Sequence, residues 1–413
     1  MKNLNSDKPY IEKGGILFGT KKDRYYINGS DTHTLVIGAT RSGKSRSIML
    51  PTIGIEGLAG ENMVVSDPKG ELHQYTYPFL EALGYNVFVL DFKNPDRSDH
   101  FNFLQEVIDA INDDNIPLAQ KKTLDITEAL VGNDTSNEKI WSEGEKSIMA
   151  ACILAVVYDN KEHPEYQNLT NVYHFINNMC EMSDNPPLKR YIDTIEALNP
   201  NHPAMALISA TRVAPSKTQG SFNISALATL RLFADINVYN LTKSNSFKIE
   251  DLNEQKTAIF IILPDYNTTY YGVASLFVDQ IYTKLADVAD LQGGRLKRRV
   301  NFILDEFGNF AVIPDFATKL TVAGGRGIRF NLFLQSTAQL ESNSKKVKYG
   351  KEGARTIVGN CEYWIFLSSD LDTRKMISEE IGDYTTMSNS ESNSYNGTRL
   401  FDMTGANISA AEI

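Results

Sequence analysis

The 413 residues hold 42% hydrophobic and 22% charged side chains, an ordinary composition for a globular chain long enough to bury two or three domain cores. A net charge of −10 excludes a general basic coat for nucleic acid and leaves room only for local basic patches. Cys152, Cys180 and Cys361 are odd in number and widely spaced without a C-x-x-C pair, which argues against disulfides and a zinc site and fits buried reduced thiols.

No apolar run reaches the ~18 residues of a membrane helix, the longest being Ile148 to Tyr158. The N-terminus lacks the apolar core of a signal peptide, so the default expectation is a cytoplasmic chain.

The first element, Thr34 to Ile37, reads as a short apolar strand, and Ser45 to Leu58 reads as a helix. Between them, Gly38-Ala-Thr-Arg-Ser-Gly-Lys44-Ser45 fits G-x-x-x-x-G-K-[ST] in the strand-loop-helix setting where that pattern works. The glycines let successive backbone N–H groups turn inward on phosphate oxygens, Lys44 neutralises charge, and the Ser45 hydroxyl can hold Mg²⁺. The candidate nucleotide-binding residues are Gly38, Thr40, Arg41, Ser42, Gly43, Lys44, Ser45 and Arg46.

Asn62 to Ser66, a helix from Glu71, and Asn86 to Leu90 continue a β-α-β-α-β order, hence a parallel sheet. In the turn Ser66-Asp67-Pro-Lys69-Gly-Glu71, Asp67 can cap the helix and Lys69 can approach the active face. Strand spacing then gives way to helical spacing from Leu104 to about Gln219, with Asp, Asn and Pro breakers, which predicts an inserted all-α domain. That segment has 17 acidic and 9 basic residues, net −8, and so holds most of the negative charge.

Strands resume at Thr257 to Leu263, followed by a helix from about Tyr271 to Ala289 and strands Val300 to Leu304, Phe330 to Leu334 and Cys361 to Leu367. The Ser- and Asn-rich stretch from 385 to 413 reads as a polar, loosely ordered tail. The expected architecture is α/β with a mostly parallel central sheet, split as 1–103 and 220–413 around an insertion at 104–219.

Asn301-Phe-Ile-Leu-Asp305-Glu306 is an apolar strand ending in two carboxylates. After a phosphate loop, Asp305 suits a Mg²⁺ water shell shared with Ser45, and Glu306 suits polarising an attacking water, although such endings also mark solvated turns. Gln335 ends the next strand, where an amide can sense the γ-phosphate or be a plain surface residue. Arg326 and Arg329, in Ala323-Gly-Gly-Arg-Gly-Ile-Arg329, offer two guanidinium groups, one of which could reach a neighbouring subunit's nucleotide; the sequence favours Arg326 only modestly. Otherwise they contact sheet carboxylates. Arg295-Leu-Lys-Arg-Arg299 and Lys345-Lys-Val-Lys348 are candidate contacts to a DNA backbone, or solvated turns.

Taken together, the phosphate loop, Asp67-Pro-Lys-Gly-Glu-Leu72, Phe101-Asn-Phe-Leu104, Trp141, Phe302-Ile-Leu-Asp-Glu-Phe307 and Leu334-Gln-Ser-Thr-Ala-Gln-Leu340 resemble the type IV secretion coupling proteins, the TraG/TraD conjugation ATPases. The resemblance implies a RecA-like ATP- and Mg²⁺-dependent DNA translocase with an inserted all-α domain. It also implies a homo-hexamer at the membrane base of a conjugation channel. Its partners would be single-stranded DNA with relaxase and relaxosome proteins, and channel components including the secretion ATPases.

Carried over by position, Lys44 and Ser45 bind nucleotide and Mg²⁺, Asp305 and Glu306 complete hydrolysis, Gln335 senses the γ-phosphate, and Arg326 or Arg329 acts across the subunit boundary. Such proteins usually begin with transmembrane helices, so attachment to the inner face of the membrane is expected through a partner or a separate segment. A solitary chain of this length is expected to be monomeric until assembled.

The acidic insertion is expected to steer basic relaxase or accessory proteins, or to be a solvated face. A nucleotide-gated docking receptor without DNA pumping, and a chromosome-segregation DNA pump, are the alternative readings. A P-loop kinase or GTPase is disfavoured by the lack of an Asn/Thr-Lys-x-Asp motif.

Overall fold

In a computed structural model of the chain, residues 9–22, 24–132, 139–179, 187–212, 214–264, 269–343 and 346–382 are described. Those include β1 (Ile16–Lys21), β2 (Arg24–Asn28), β3 (His33–Gly38), β4 (Asn62–Ser66), β5 (Asn86–Asp91), β6 (Thr257–Ile262), β7 (Val300–Leu304) and β8 (Ile328–Leu334). The short β9 (Ser342–Asn343) and β10 (Lys346–Val347) and the longer β11 (Cys361–Ser368) follow.

Seven strands form one sheet in the order β11-β3-β8-β7-β4-β6-β5, and every pairing in it is parallel. Strands β3, β6 and β8 are buried at every position and mostly apolar because both faces are covered, as parallel sheets require. Alternate residues then serve different cores. Leu35, Ile37, Val64, Phe302 and Leu304 join the larger core, which continues into the insertion. Val36, Met63, Val65, Ile303 and Phe333 face the smaller core, beneath the Leu50–Leu58 and Glu71–Ala82 helices.

The helix expected from Ser45 to Leu58 is divided. Ser45–Met49 forms a wider turn in which the N–H of Leu50 bonds to Ser45 O, five residues back, before the ordinary helix Leu50–Leu58 begins. Pro51 lacks the N–H that would continue a regular ladder here, which accounts for the break.

The insertion leaves after β5 and returns to β6, which lies beside β5 in the sheet. Its central helix, Lys139–Asp159, is buried on all sides from Ile148 to Val157 and packs against helices Ile116–Val131, Leu169–Met179, Pro203–Arg212 and Ser216–Leu230. Helix Ser216–Leu230 runs across the boundary expected at 219/220, and helical structure continues through Ile236–Thr242. The apolar positions Phe222, Ala226 and Leu230 of that helix are buried in the common core, so the chain does not leave the helical layer at Gln219.

An ionic joint ties insertion to sheet layer. Lys122 pairs with Glu106 at 2.9 Å and Asp287 at 2.7 Å, while Lys284 pairs with Glu106 at 2.7 Å and Glu250 at 2.8 Å. The antiparallel β1–β2 hairpin, absent from the sequence reading, lies against the Leu50–Leu58 helix. Cys152 and Cys361 are buried, as expected, and among the described residues neither forms a disulfide; Cys180 lies outside the described residues with the tail expected at 385–413. Among the described residues, no helix is long and apolar enough to cross a membrane.

Candidate nucleotide site

Parallel pairing puts the C-terminal ends of β3, β8, β7 and β4 on one edge of the sheet, and with them Gly38, Gln335, Asp305 and Asp67. The order matters: β8 lies between the phosphate-loop strand and the strand of the paired carboxylates, so Gln335 stands between the two halves of the site.

The loop after β3 is held in shape by contacts of its own residues. A Cβ on Gly38 would stand 2.4 Å from Ser42 Oγ and 3.0 Å from Lys44 Cγ, so only glycine lets the loop close on itself. Lys44 is 7% exposed and donates to the Gly38 carbonyl. Ser42 Oγ is buried without a hydrogen-bond partner among the described residues, and Lys44 makes no ion pair there. An orphaned hydroxyl beside an unpaired ammonium within a loop of turning amides fits a phosphate group.

Facing it, burial pushes the carboxyl of Asp305 up to about 7; the negative charge of Glu306 adds to the shift and Lys44 opposes it. Asp305 Oδ1 accepts the N–H of Glu306 at 3.0 Å, and its own carbonyl takes a hydrogen bond from Ser66 Oγ at 2.8 Å. Glu306 Oε2 accepts from Gln335 Nε2 at 2.9 Å, so the two residues expected to handle water are already in contact. Among the described residues, no cluster of three or more His, Cys, Asp or Glu could hold a metal by itself. Ser45 and Asp305 therefore fit an ion that keeps most of its shell from water and phosphate, as Mg²⁺ does.

Arg41 and Arg46 are exposed at the loop rim with Thr40. A groove of about 760 Å³ opens beside Ser45 and Arg46 between the Leu50–Leu58 and Glu71–Ala82 helices, with Leu50, Tyr75 and Phe79 along it.

Asp67 is 2% exposed and accepts the N–H groups of Gly70 and His73, each at 2.9 Å. It therefore caps the Glu71–Ala82 helix, as its position suggested, while Lys69 is exposed. Its charge also raises Asp305. Sequence reasoning missed Ser66, although it is adjacent to Asp67. It also missed Ser369, whose Oγ donates to the Gln335 carbonyl at 2.7 Å, because the segment after β11 reaches the end of β8 only in the folded sheet, across the end of β3 that lies between the two strands.

A family model described as Type IV secretory system Conjugative DNA transfer matches residues 2–411. The chain belongs to this family. The VirD4 protein of Rhizobium rhizogenes is 25% identical over 407 residues, covering 94% of this chain and 54% of its own length. The conjugal transfer protein TraG of Escherichia coli is 24% identical over 378 residues, covering 87% and 57%. The chain thus spans about half the length of these relatives.

The plasmid coupling protein TrwB in complex with the ATP analogue ADPNP superposes with a TM-score of 0.59 at 18% identity, covering 85% of this chain and 74% of that one. TrwB in complex with ADP and Mg²⁺ gives 0.61 at 19%, covering 85% and 75%. These likenesses show the RecA-like fold that the resemblance implied.

Two expectations for this coupling-protein chain change once the arginines are located. Arg329 is 2% exposed at the start of β8, the edge opposite the phosphate loop. It donates to Asn301 Oδ1 at 2.7 Å, Glu61 Oε2 at 2.9 Å, and the carbonyls of Asn28 and Ser30 at 3.2 Å. A guanidinium so enclosed cannot reach a neighbouring subunit, so the alternative of Arg329 as a trans-acting arginine is withdrawn. Arg326 is partly exposed and holds Asp290 through two hydrogen bonds of 3.1 Å.

In the basic run at 295–299, Arg295 and Arg299 pair with Asp31 and Lys297 with Glu254, while Arg298 donates to the Gly60 carbonyl. Three of its four cations are thus paired with carboxylates of the same chain, and among the described residues Arg298 has carbonyl partners only. Lys348, from the second run, is turned onto the carbonyls of Phe307 and Gly308, and Lys345 lies outside the described residues.

Proposed function

We propose that this chain is the ATP-hydrolysing motor portion of a conjugative coupling protein, which brings relaxase-bound single-stranded DNA to a type IV secretion channel and drives its passage. The observation that carries the reading is the contact of Gln335 Nε2 with Glu306 Oε2 beside Asp305, across the sheet edge from a phosphate loop containing Lys44. Binding of ADPNP, and of ADP with Mg²⁺, by TrwB, which shares the fold, supports the choice of ligand.

In this mechanism the amides and hydroxyls of Gly38 and Thr40 to Ser45 bind the β- and γ-phosphates, with Lys44 released from the Gly38 carbonyl to neutralise their charge. Arg46 is exposed where it can reach the same nucleotide. Ser45 and Asp305 would hold Mg²⁺, which would supply neutralisation of the phosphate charge. Glu306 accepts a proton from the attacking water at a carboxylate oxygen, and the Gln335 amide orients that water and registers whether the γ-phosphate is present.

Arg326 is assigned to the boundary with the next subunit of a homo-hexamer, where it would have to exchange Asp290 for a phosphate oxygen. The acidic insertion serves basic relaxosome proteins, and the secretion ATPases and the membrane are met at the inner face of the channel.

The test is ATPase rate with and without single-stranded DNA, across a range of protein concentration. The motor reading expects DNA to stimulate a rate that rises with concentration, and expects Lys44→Ala and Glu306→Gln to abolish it. Relaxosome binding that persists in both variants, with a wild-type rate indifferent to DNA, favours a docking receptor instead. A rate per subunit independent of concentration removes Arg326 from the mechanism.

A further inference from the structure

The turn that carries Glu306 is held from a second side. Glu306 adopts a φ of 50°, in the left-handed region, which a residue with a side chain keeps only where its surroundings impose it. Gln339 accepts the N–H of Gln335 at 2.9 Å and lies against Gly308, where a Cβ would stand 2.5 Å from Gln339 Cδ.

Lys348, just after β10, donates to the Phe307 carbonyl at 3.2 Å and the Gly308 carbonyl at 3.1 Å, with its ammonium 5.3 Å from the centre of the Phe307 ring. Burial pushes that ammonium down to about 8, and among the described residues it has no carboxylate partner. The two carbonyls are what compensate its lost hydration.

We propose that Lys348 is a positioning residue for hydrolysis: its ammonium clamps the carbonyls after Glu306 and so fixes the Glu306 carboxylate on Gln335, with Gln339 bracing the same turn. This rests on the reading of Glu306 as the group that activates water. The phosphate loop belongs to β3 and makes no hydrogen bond to this clamp, so nucleotide affinity is separable from it.

The experiment uses the full chain as wild type, Lys348→Met, Lys348→Arg and Gln339→Ala. It reads kcat at saturating ATP, affinity for ADPNP, and the melting temperature. Losing a charge-assisted clamp lowers kcat about tenfold or more in Lys348→Met, with ADPNP affinity kept within about twofold. Lys348→Arg recovers most of the rate because a guanidinium can span the same two carbonyls, and Gln339→Ala falls in the same direction as Lys348→Met.

Wild-type turnover in Lys348→Met overturns the inference, and so does an arginine variant as slow as the methionine one. If Lys348→Met does not fold, Gln339→Ala turning over at the wild-type rate overturns it. A wild-type chain with no ATPase under any condition overturns the reading of Glu306 as well, which tells the two failures apart.

Discussion

Replacing Arg329 by methionine separates a structural keystone from an arginine finger. The guanidinium joins four parts of the fold: Glu61 ahead of β4, Asn301 on β7, the carbonyls of Asn28 and Ser30 at and just after the end of β2, and Glu56 of the Leu50–Leu58 helix at 3.5 Å. Methionine fills much of the same space and donates nothing. Removing one partner of a buried ion pair destabilises by about 3–5 kcal/mol, because the other charge stays buried.

Here Glu61 retains Arg299 at 3.1 Å and the N–H of Gly14 at 2.9 Å, which places the expected loss near the lower end, about 3 kcal/mol. That is a large share of the ~5–15 kcal/mol by which domains are stable. Thermal and urea unfolding of the full chain, followed by circular dichroism, should show an earlier transition. At a temperature where the variant remains folded, ADPNP binding and ATP turnover should be near wild type. A variant that melts like the wild type but has lost turnover refutes this argument, since that is how a finger behaves.

The same cluster predicts a pH effect. Burial pushes the Glu56 carboxyl up to about 8 from an ordinary 4.5, even with Arg329 opposing. Between those values the folded chain holds a proton that the unfolded chain has released, so this contribution is present below about 4.5 and lost as pH rises through about 8. Glu56→Gln keeps the neutral shape and removes the titration. Its stability relative to wild type should therefore rise between pH 5 and 8, and parallel unfolding curves across that window contradict the assignment. In the phosphate loop, Gly38→Ala forces a methyl group to 2.4 Å from Ser42 Oγ. ADPNP binding should fall by at least about tenfold with little change in melting temperature, and unchanged affinity in a titration contradicts the pre-shaped cradle.

Much of the nucleotide edge was legible because each part is a local pattern. The glycine-rich loop, the strand ending in Asp305-Glu306 and the strand ending in Gln335 are set by periodicity and by residues within a few positions of each other. What the sequence concealed depends on contacts between distant segments. Arg326 and Arg329 are equivalent as loop cations, and only the strand order turns one into the sheet and leaves the other at its surface. The run at 295–299 looks like an open basic strip until Asp31, Glu61 and Glu254 arrive from elsewhere to pair with Arg295, Arg299 and Lys297. The helix across Gln219 was concealed for a related reason: helical spacing cannot tell a helix that ends a domain from one whose far half, at Ala226 and Leu230, completes the same core.

Sheet direction also constrains how an arginine can take part. Arg326 precedes β8, and Gln335 follows it, so one strand of 7 residues separates the cation from the site on its own chain. At about 3.3 Å per residue this is roughly 20 Å, several times the reach of a guanidinium. Arg326 can therefore approach a γ-phosphate only if that nucleotide belongs to another copy, placed with its site edge against this chain's opposite edge. Asp290, which holds Arg326 in the single chain, would have to be given up first: the pair is partly exposed, so breaking it costs only about 0–1 kcal/mol, small beside a charge-assisted bond to phosphate. Asp290→Asn should accordingly leave the fold intact and raise ATPase at limiting protein concentration, whereas a lower rate would mean that Asp290 aims the arginine rather than restrains it.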